Sequence, residues 1–269
     1  MWGGARTYLN NANTSQQLIS AYYNLGMSAK KDPKSHQILT FGWGGIEVAV
    51  TETEYADPVA NASVFSEYNS IPGAIADATG VKSLAQLTLE LDPGAGDKGL
   101  RQTFWTWSMK LDKEMATVTK DIFFEELPPL YDVAGIVPSV SLQVITEPIM
   151  EFTKVRGGNA LGLDPKDGPL INALVGIQWS DAADDTRVYK FCEKVKNRVI
   201  AVAKEKGKYH PYMYMNYGSP YQNVVAGYGA ANQARLKAIS KKYDPTGVFE
   251  KLQPGYFKLD GAPKGEVVA

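Results

Sequence analysis

The feature that most constrains this chain is the order in which two hydrophobic periods follow one another. Apolar residues at every second position read as strand, and apolar residues every three or four positions read as helix. Helical spacing covers residues 15–29, with Ser15 as the expected cap and Leu18, Ile19, Tyr22, Tyr23 and Met27 as the apolar stripe. Strands follow over residues 36–43 and 46–52, joined at Gly44-Gly45, a pair suited to a hairpin turn. Within the second, Val48 and Val50 alternate with Ala49 and Thr51, as in a half-buried strand. Val64, Phe65 and Tyr68 fall at helical spacing until Pro72-Gly73 breaks the run, and residues 83–91 read as a short helix. Further strands are expected over 102–110, 137–146 and 170–179, the first placing Trp105 and Trp107 on one face. Further helices are expected over 113–127, stopped by Pro128-Pro129, and 184–206, stopped by Gly207.

This order is not a regular β-α-β alternation. It predicts an α+β fold: an antiparallel β-sheet covered on one face by helices, followed by a strand-turn-helix C-terminal segment. At 269 residues the chain is long enough to bury a sizeable core.

Composition removes several function classes. A net charge of -1 offers nothing to a polyanion, so no nucleic-acid partner is expected. No apolar run is long enough to span a bilayer, and the start of the chain lacks a basic region followed by an apolar run. The reading is therefore no membrane and, for the chain as it stands, a cytoplasmic location. The sequons at Asn13 and Asn61 then have no use. The one cysteine, Cys192, sits in a helical run and reads as a buried, inert thiol. His36 and His210 have no acidic or cysteine cluster beside them, so no metal site is expected. No nucleophile elbow supports a serine-histidine-aspartate triad. The glycine-rich loop over residues 92–99 lacks the Lys-Ser/Thr continuation of a phosphate loop.

The C-terminal stretch is the most distinctive. Residues 212–217 alternate, which as a strand would place Tyr212, Tyr214 and Asn216 on one face and Met213, Met215 and Tyr217 on the other. Two phenols and an amide in a row must be satisfied or must open on a cavity; an edge strand with its hydroxyls in water is the plainer alternative. Residues 218–220 form a turn, residues 223–242 include a helix ending in basic residues, and Tyr243-Asp244-Pro245-Thr246-Gly247 turns before the apolar pair Val248-Phe249.

These residues carry a resemblance. Asn216-Tyr217, Tyr228-Gly229, Asn232, Arg235-Leu236, residues 242–245, Val248-Phe249 and residues 253–255 resemble the C-terminal berberine-bridge segment of FAD-linked oxidases of the vanillyl-alcohol-oxidase and p-cresol-methylhydroxylase type. Met1-Trp2-Gly3-Gly4, residues 157–163 and Trp179-Ser180-Asp181 resemble fungal members of the same family, so nearly the whole chain is covered. The resemblance implies a two-part enzyme. One domain holds FAD, and a substrate domain, an antiparallel sheet backed by helices, roofs the isoalloxazine. Residues 1–210 would be the substrate-binding domain and residues 211–260 the berberine-bridge-like segment, with the family's FAD-binding domain absent. The departures are that domain's glycine-rich cradle and its His and Cys attachment residues, together with Ser219 where Asp is common and Glu250 where Gln is common. Cys192 lies in the wrong region to attach a flavin.

Such an enzyme oxidises a small alcohol, sugar or secondary metabolite by hydride transfer to flavin, and full-length members are often secreted. The resemblance makes Tyr214 the base or substrate-orienting phenol, and Asn216 and Tyr217 the neighbours of the flavin ring. On pattern alone, Trp107, Gln143 and Trp179 are candidates for the substrate side of the sheet, with ordinary sheet packing as the alternative. The expected partners are a small-molecule substrate and either a flavin-domain chain or a second copy covering an exposed face. Two other readings stay open: a non-redox binding protein or cyclase reusing the aromatic cavity, and an inactive truncated product.

Overall fold

The computed structural model describes residues 1–90, 99–253, 257–265 and 267. Of the glycine-rich loop expected over residues 92–99, all but Gly99 lies outside the described residues, as do Leu91 and the Pro254-Gly255 pair. The strands are β1 (Trp2–Leu9), β2 (Ser35–Trp43), β3 (Glu47–Tyr55), β4 (Ala74–Asp77), β5 (Gly80–Val81), β6 (Arg101–Lys110), β7 (Val137–Ile145), β8 (Leu170–Trp179) and β9 (Tyr209–His210). The helices are α1 (Ala12–Met27), α2 (Ser66–Asn69), α3 (Leu84–Glu90), α4 (Lys113–Glu126), α5 (Glu147–Phe152), α6 (Asp185–Glu205), α7 (Ala230–Tyr243) and α8 (Val248–Leu252). Among the described residues all nine strands join one sheet in the order β4-β1-β3-β2-β7-β8-β6-β9, with β5 also on β1, and every pairing is antiparallel.

The register sorts the side chains into two faces. Leu39 of β2 lies opposite Leu142 of β7, Leu142 opposite Ala173 of β8, and Ala173 opposite Trp107 of β6. Residues in this row and two positions either side of it point one way. They form one buried core with Leu18 and Tyr22 of α1, Phe123 of α4, and Phe191, Val195 and Val199 of α6. The expected antiparallel sheet with helices on one face is the architecture observed. Among the described residues no helix is long and apolar enough to cross a membrane, and no His, Cys, Asp or Glu cluster could hold a metal. Cys192 is fully buried on α6, and burial pushes its thiol well above its ordinary range.

Local rules set some boundaries differently from expectation. Helix α1 begins at Ala12, because Asn11 is extended and its side chain accepts from Thr14 N at 3.0 Å. Ser15 is inside the helix and buried, its hydroxyl donating to the Asn11 carbonyl at 2.8 Å. Strand β1 carries no clear period because two of its residues are glycines. A Cβ on Gly4 (φ +142) would meet the Ala78 carbonyl oxygen at 2.4 Å, so close approach of the chain requires glycine there.

The main correction concerns residues 212–217, which are not a strand. Extended pairing stops at β9, opposite Ser108 and Met109, and Met215–Tyr217 is a single 3-10 turn. The next residue, Pro211, has no N–H to give a ladder. The Tyr212 N–H instead turns back to His210 Nδ1 at 3.2 Å. Further along the outer edge of β6, the Gln222 side chain occupies the place a strand would take: it accepts from Thr106 N at 3.0 Å and donates to Thr106 O at 2.7 Å.

Candidate functional site

Among the described residues the other face of the sheet carries no helical layer apart from the end where Met150 of α5 packs with Leu170, and its polar residues come together at one end. Asn172 lies opposite Gln143 of β7 on one side and Ser108 of β6 on the other. Asn172 Nδ2 donates to Gln143 Oε1 at 3.4 Å, and its Oδ1 lies 3.1 Å from Thr106 Oγ1, whose single proton has a nearer acceptor in the Ala173 carbonyl oxygen at 2.8 Å. Because Gln143 Oε1 is the acceptor there, its Nε2 is left to donate, and it reaches the Tyr217 hydroxyl oxygen at 3.0 Å. Four residues on three strands and the 3-10 turn thus form one line of polar contacts, from Thr106 through Asn172 and Gln143 to Tyr217.

Tyr217 is held by its ring as well. It packs edge-on against Phe104 of β6 at 5.8 Å between centroids and against Tyr214 at 4.9 Å. Asn216 Nδ2 donates to the Tyr214 hydroxyl oxygen at 2.8 Å. Each phenol therefore accepts an amide N–H, leaving its own proton free to point elsewhere. Asn216 is exposed and the two phenols half-buried, so this edge is open to a ligand.

Two anchors fix the segment that carries these residues. The buried Gln222 clamps Thr106 as described, and its Oε1 also accepts from Ser219 N at 3.0 Å. A second apolar cluster, of Met150, Leu163, Leu170, Tyr212, Val224, Val225 and Tyr228, seats it on the end of this face. Tyr212 belongs to that cluster, stacked on Tyr228 at 6.0 Å and buried. Burial pushes its phenol far above the ordinary range, with Tyr228 and Tyr214 adding to the rise, so it stays protonated.

Of the residues singled out from sequence, the structure brings together Tyr214, Asn216, Tyr217 and Gln143. It does not bring Trp107 and Trp179 to them. Trp107 is 1% exposed and Trp179 0%, and both lie in the helix-side core. Trp179 packs edge-on against Tyr189 of α6 and donates its Nε1 to Asp185 Oδ1 at 2.9 Å. The cause is strand parity: position 143 lies one residue out of step with the row of Leu142, Ala173 and Trp107, so its side chain points the opposite way. Asn172, Thr106 and Gln222 were not anticipated. Asn172 did leave a signal, as a lone amide in the run Leu170–Trp179, otherwise almost wholly apolar up to Gln178.

The same face carries a second polar group. Glu52 lies opposite Ile38, which lies opposite Gln143, so its carboxyl is two strands from Gln143. Burial, with Glu54 beside it, pushes the Glu52 carboxyl above its ordinary range, against the opposing pull of His36. His36 Nδ1 and Glu54 Oε2 meet at 2.7 Å.

A flat heteroaromatic with hydrogen-bonding edges fits the open edge formed by the two phenols and two amides. The glycine pair that leads into α7, Gly227 and Gly229, offers no diphosphate cradle, because the Pro211 carbonyl oxygen lies 2.4 Å from where a Cβ on Gly227 would sit. The residues present thus suit the ring of a dinucleotide such as FAD and do not suit its phosphates.

No family model matches the chain. It is similar to an FAD-dependent monooxygenase of Fusarium proliferatum, 31% identical over 272 residues that cover 96% of this chain and 52% of that protein. An FAD-dependent monooxygenase of Cochliobolus heterostrophus is 28% identical, covering 97% of this chain and 52% of its own length. Among solved structures, carbohydrate oxidase from Microdochium nivale superposes with a TM-score of 0.67 at 15% identity, over 98% of this chain and 55% of that one. 6-Hydroxy-D-nicotine oxidase from Arthrobacter nicotinovorans gives 0.65 at 16% identity, over 97% and 55%. The chain thus spans about half the length of the relatives it matches. Its homologues include FAD-dependent monooxygenases, and its sheet and helices share the fold of about half of each of these two oxidases.

Proposed function

We propose that this chain is the substrate-side part of an FAD-linked oxidoreductase and works with a flavin-binding part carried elsewhere. Residues 1–210 form the substrate-binding part and residues 211–260 the segment that closes over the flavin. The observation that carries this reading is the face of the sheet turned away from the main core. It ends in a line of side-chain hydrogen bonds onto Tyr217, beside a second phenol, in a chain matching about half of its FAD-dependent homologues. Exposed apolar residues on the C-terminal segment support a partner surface: Phe249 is 76% exposed, Leu252 75% and Tyr243 73%.

The substrate class is a small organic alcohol, sugar or secondary metabolite. FAD, when bound, supplies the hydride acceptor. Asn216 and Tyr217 are the residues that would hold its ring. Gln143, held by Asn172, fixes the Tyr217 hydroxyl. Tyr214, oriented by Asn216, takes the substrate's hydroxyl proton or aligns that hydroxyl while the adjacent C–H bond breaks with its electron pair. The oxidised product is the corresponding carbonyl compound.

The test is reconstitution. The chain is purified alone and also co-expressed with the unmatched half of the Fusarium proliferatum relative. A yellow complex with stoichiometric flavin, beside a colourless chain alone, supports the reading. Stoichiometric flavin on the chain alone rejects the need for a partner. A chain that takes up neither flavin nor the partner half rejects the reading as a whole.

A further inference from the structure

We propose a second ligand site, separate from the two phenols: a cavity at the outer edge of the sheet that takes a small carboxylate with a flat apolar body. The cavity holds about 180 Å³ and lies where β6 and β9 meet α6 and the C-terminal segment. Its walls include Trp107, Lys196, Ile200, Tyr209 and Tyr221.

Three independent features point to an anion. First, Lys196 is half-buried on α6 and, among the described residues, has no carboxylate at ion-pair distance; its Nζ sits 5.2 Å from the centre of the Trp105 ring. Burial pushes its ammonium below the ordinary range, with Glu193 opposing, so the charge is held at a cost that a bound anion would offset. Second, the Trp107 indole N–H is buried and has no acceptor among the described residues. Such a donor is costly to leave unanswered and would be satisfied by an incoming oxygen. Third, no acidic residue lines the cavity. The imidazole at its rim, His210, accepts from Tyr212 N at Nδ1, which leaves Nε2 as the donor to Asp167 at 3.2 Å.

The remaining walls define the rest of the ligand. Tyr221 stacks on Trp105 at 5.9 Å and 15°, and Lys264 Nζ lies 5.5 Å from the Tyr221 ring centre. Apart from Lys196 and the indole N–H, the walls are mainly aromatic and aliphatic. The ammonium, the indole N–H and the Ser108 hydroxyl, which also lines the cavity and has no partner among the described residues, are enough for the two oxygens of a carboxylate; a phosphate dianion would need more donors than these. A cavity of about 150 Å³ is enough for benzene, so a benzoate-sized molecule is the natural probe.

The test uses the 269-residue chain, with no flavin or second chain, so it stands or falls apart from the proposed oxidase activity. Sodium benzoate is titrated in, followed by tryptophan fluorescence and by calorimetry. Saturable binding is expected, weakened about tenfold or more in Lys196→Met and also weakened in Trp107→Phe, which removes the N–H and keeps an aromatic ring. Should Lys196→Met fail to fold by circular dichroism, Trp107→Phe alone decides. Benzyl alcohol, of similar shape and no charge, should not bind. Absence of saturation, benzoate binding unchanged in Trp107→Phe, equal binding of benzyl alcohol, or tighter binding of inorganic phosphate than benzoate would each overturn the proposal.

Discussion

Gln143 Nε2 donates to the Tyr217 hydroxyl oxygen at 3.0 Å, tying the fourth strand from the β9 edge of the sheet to a turn 74 residues further along the chain. The bond is the last link of a line of polar contacts that runs from Thr106 through Asn172. Replacing Gln143 by Leu leaves Asn172 Nδ2 and Tyr217 without their partners, and is expected to cost about 1–3 kcal/mol. Tyr217→Phe removes one end only. The two substitutions together should fall short of the sum of the singles by about 1 kcal/mol, measured by denaturant unfolding. Strictly additive effects would show that the pair is not coupled.

Tyr214 makes a different kind of prediction because it is half-buried and its hydroxyl receives one surface hydrogen bond. Tyr214→Phe should leave the unfolding midpoint within about 0.5 kcal/mol of the parent. In the chain reconstituted with a flavin-binding half, flavin reduction by substrate should slow by about 10²–10⁴-fold if Tyr214 is the base. A change confined to KM would assign it to substrate orientation instead. Wild-type rates with wild-type KM would remove it from the site.

Glu52 gives stability a pH dependence of definite sign. Its folded-state carboxyl binds a proton more tightly than the unfolded chain does, since burial and Glu54 both disfavour its charge. The contribution is therefore fully present below the ordinary glutamate range, and is lost as pH rises through the raised folded value. Glu52→Gln abolishes the titration. The variant should match the parent at about pH 4 and exceed it at pH 7 by an amount of the order of 1 kcal/mol, read from thermal or urea unfolding across that range. A gap that closes as pH rises would contradict the assignment.

The sheet was legible in the sequence because its central strands carry period-2 patterns and its long helices carry clear stripes and stops. Strands Ser35–Trp43, Glu47–Tyr55, Arg101–Lys110, Val137–Ile145 and Leu170–Trp179 all fall where alternation or apolar runs predict them. Two things escaped. Trp2–Leu9 is a strand whose glycines serve close packing of backbone on backbone, which leaves no hydrophobic period to read. Residues 212–217 alternate perfectly and are not a strand, because pairing needs a free edge and the Gln222 amide occupies it. The site was half legible. Tyr214, Asn216, Tyr217 and Gln143 converge, whereas Trp107 and Trp179 drew attention as large aromatics although parity turns them to the helices. The sequence shows which strands exist, but the facing of each side chain across strands depends on register.

That occupied edge is itself open to test. Gln222 is 3% exposed and answers three backbone groups: Thr106 N, Thr106 O and Ser219 N. Gln222→Leu keeps a similar volume but leaves all three without this partner in a buried place. A loss of about 2–4 kcal/mol is expected, large for a single substitution that opens no cavity. The damage should be local. Amide exchange at Thr106 and Ser219 should quicken in the variant, while Leu39, buried three strands away from β6, keeps its protection. In the reconstituted enzyme, KM should rise more than the unfolding loss alone accounts for, because Tyr214 and Tyr217 ride on the segment that Gln222 fixes. A stability change below about 0.5 kcal/mol would mean that the second apolar cluster, from Tyr212 to Tyr228, holds the segment without the amide.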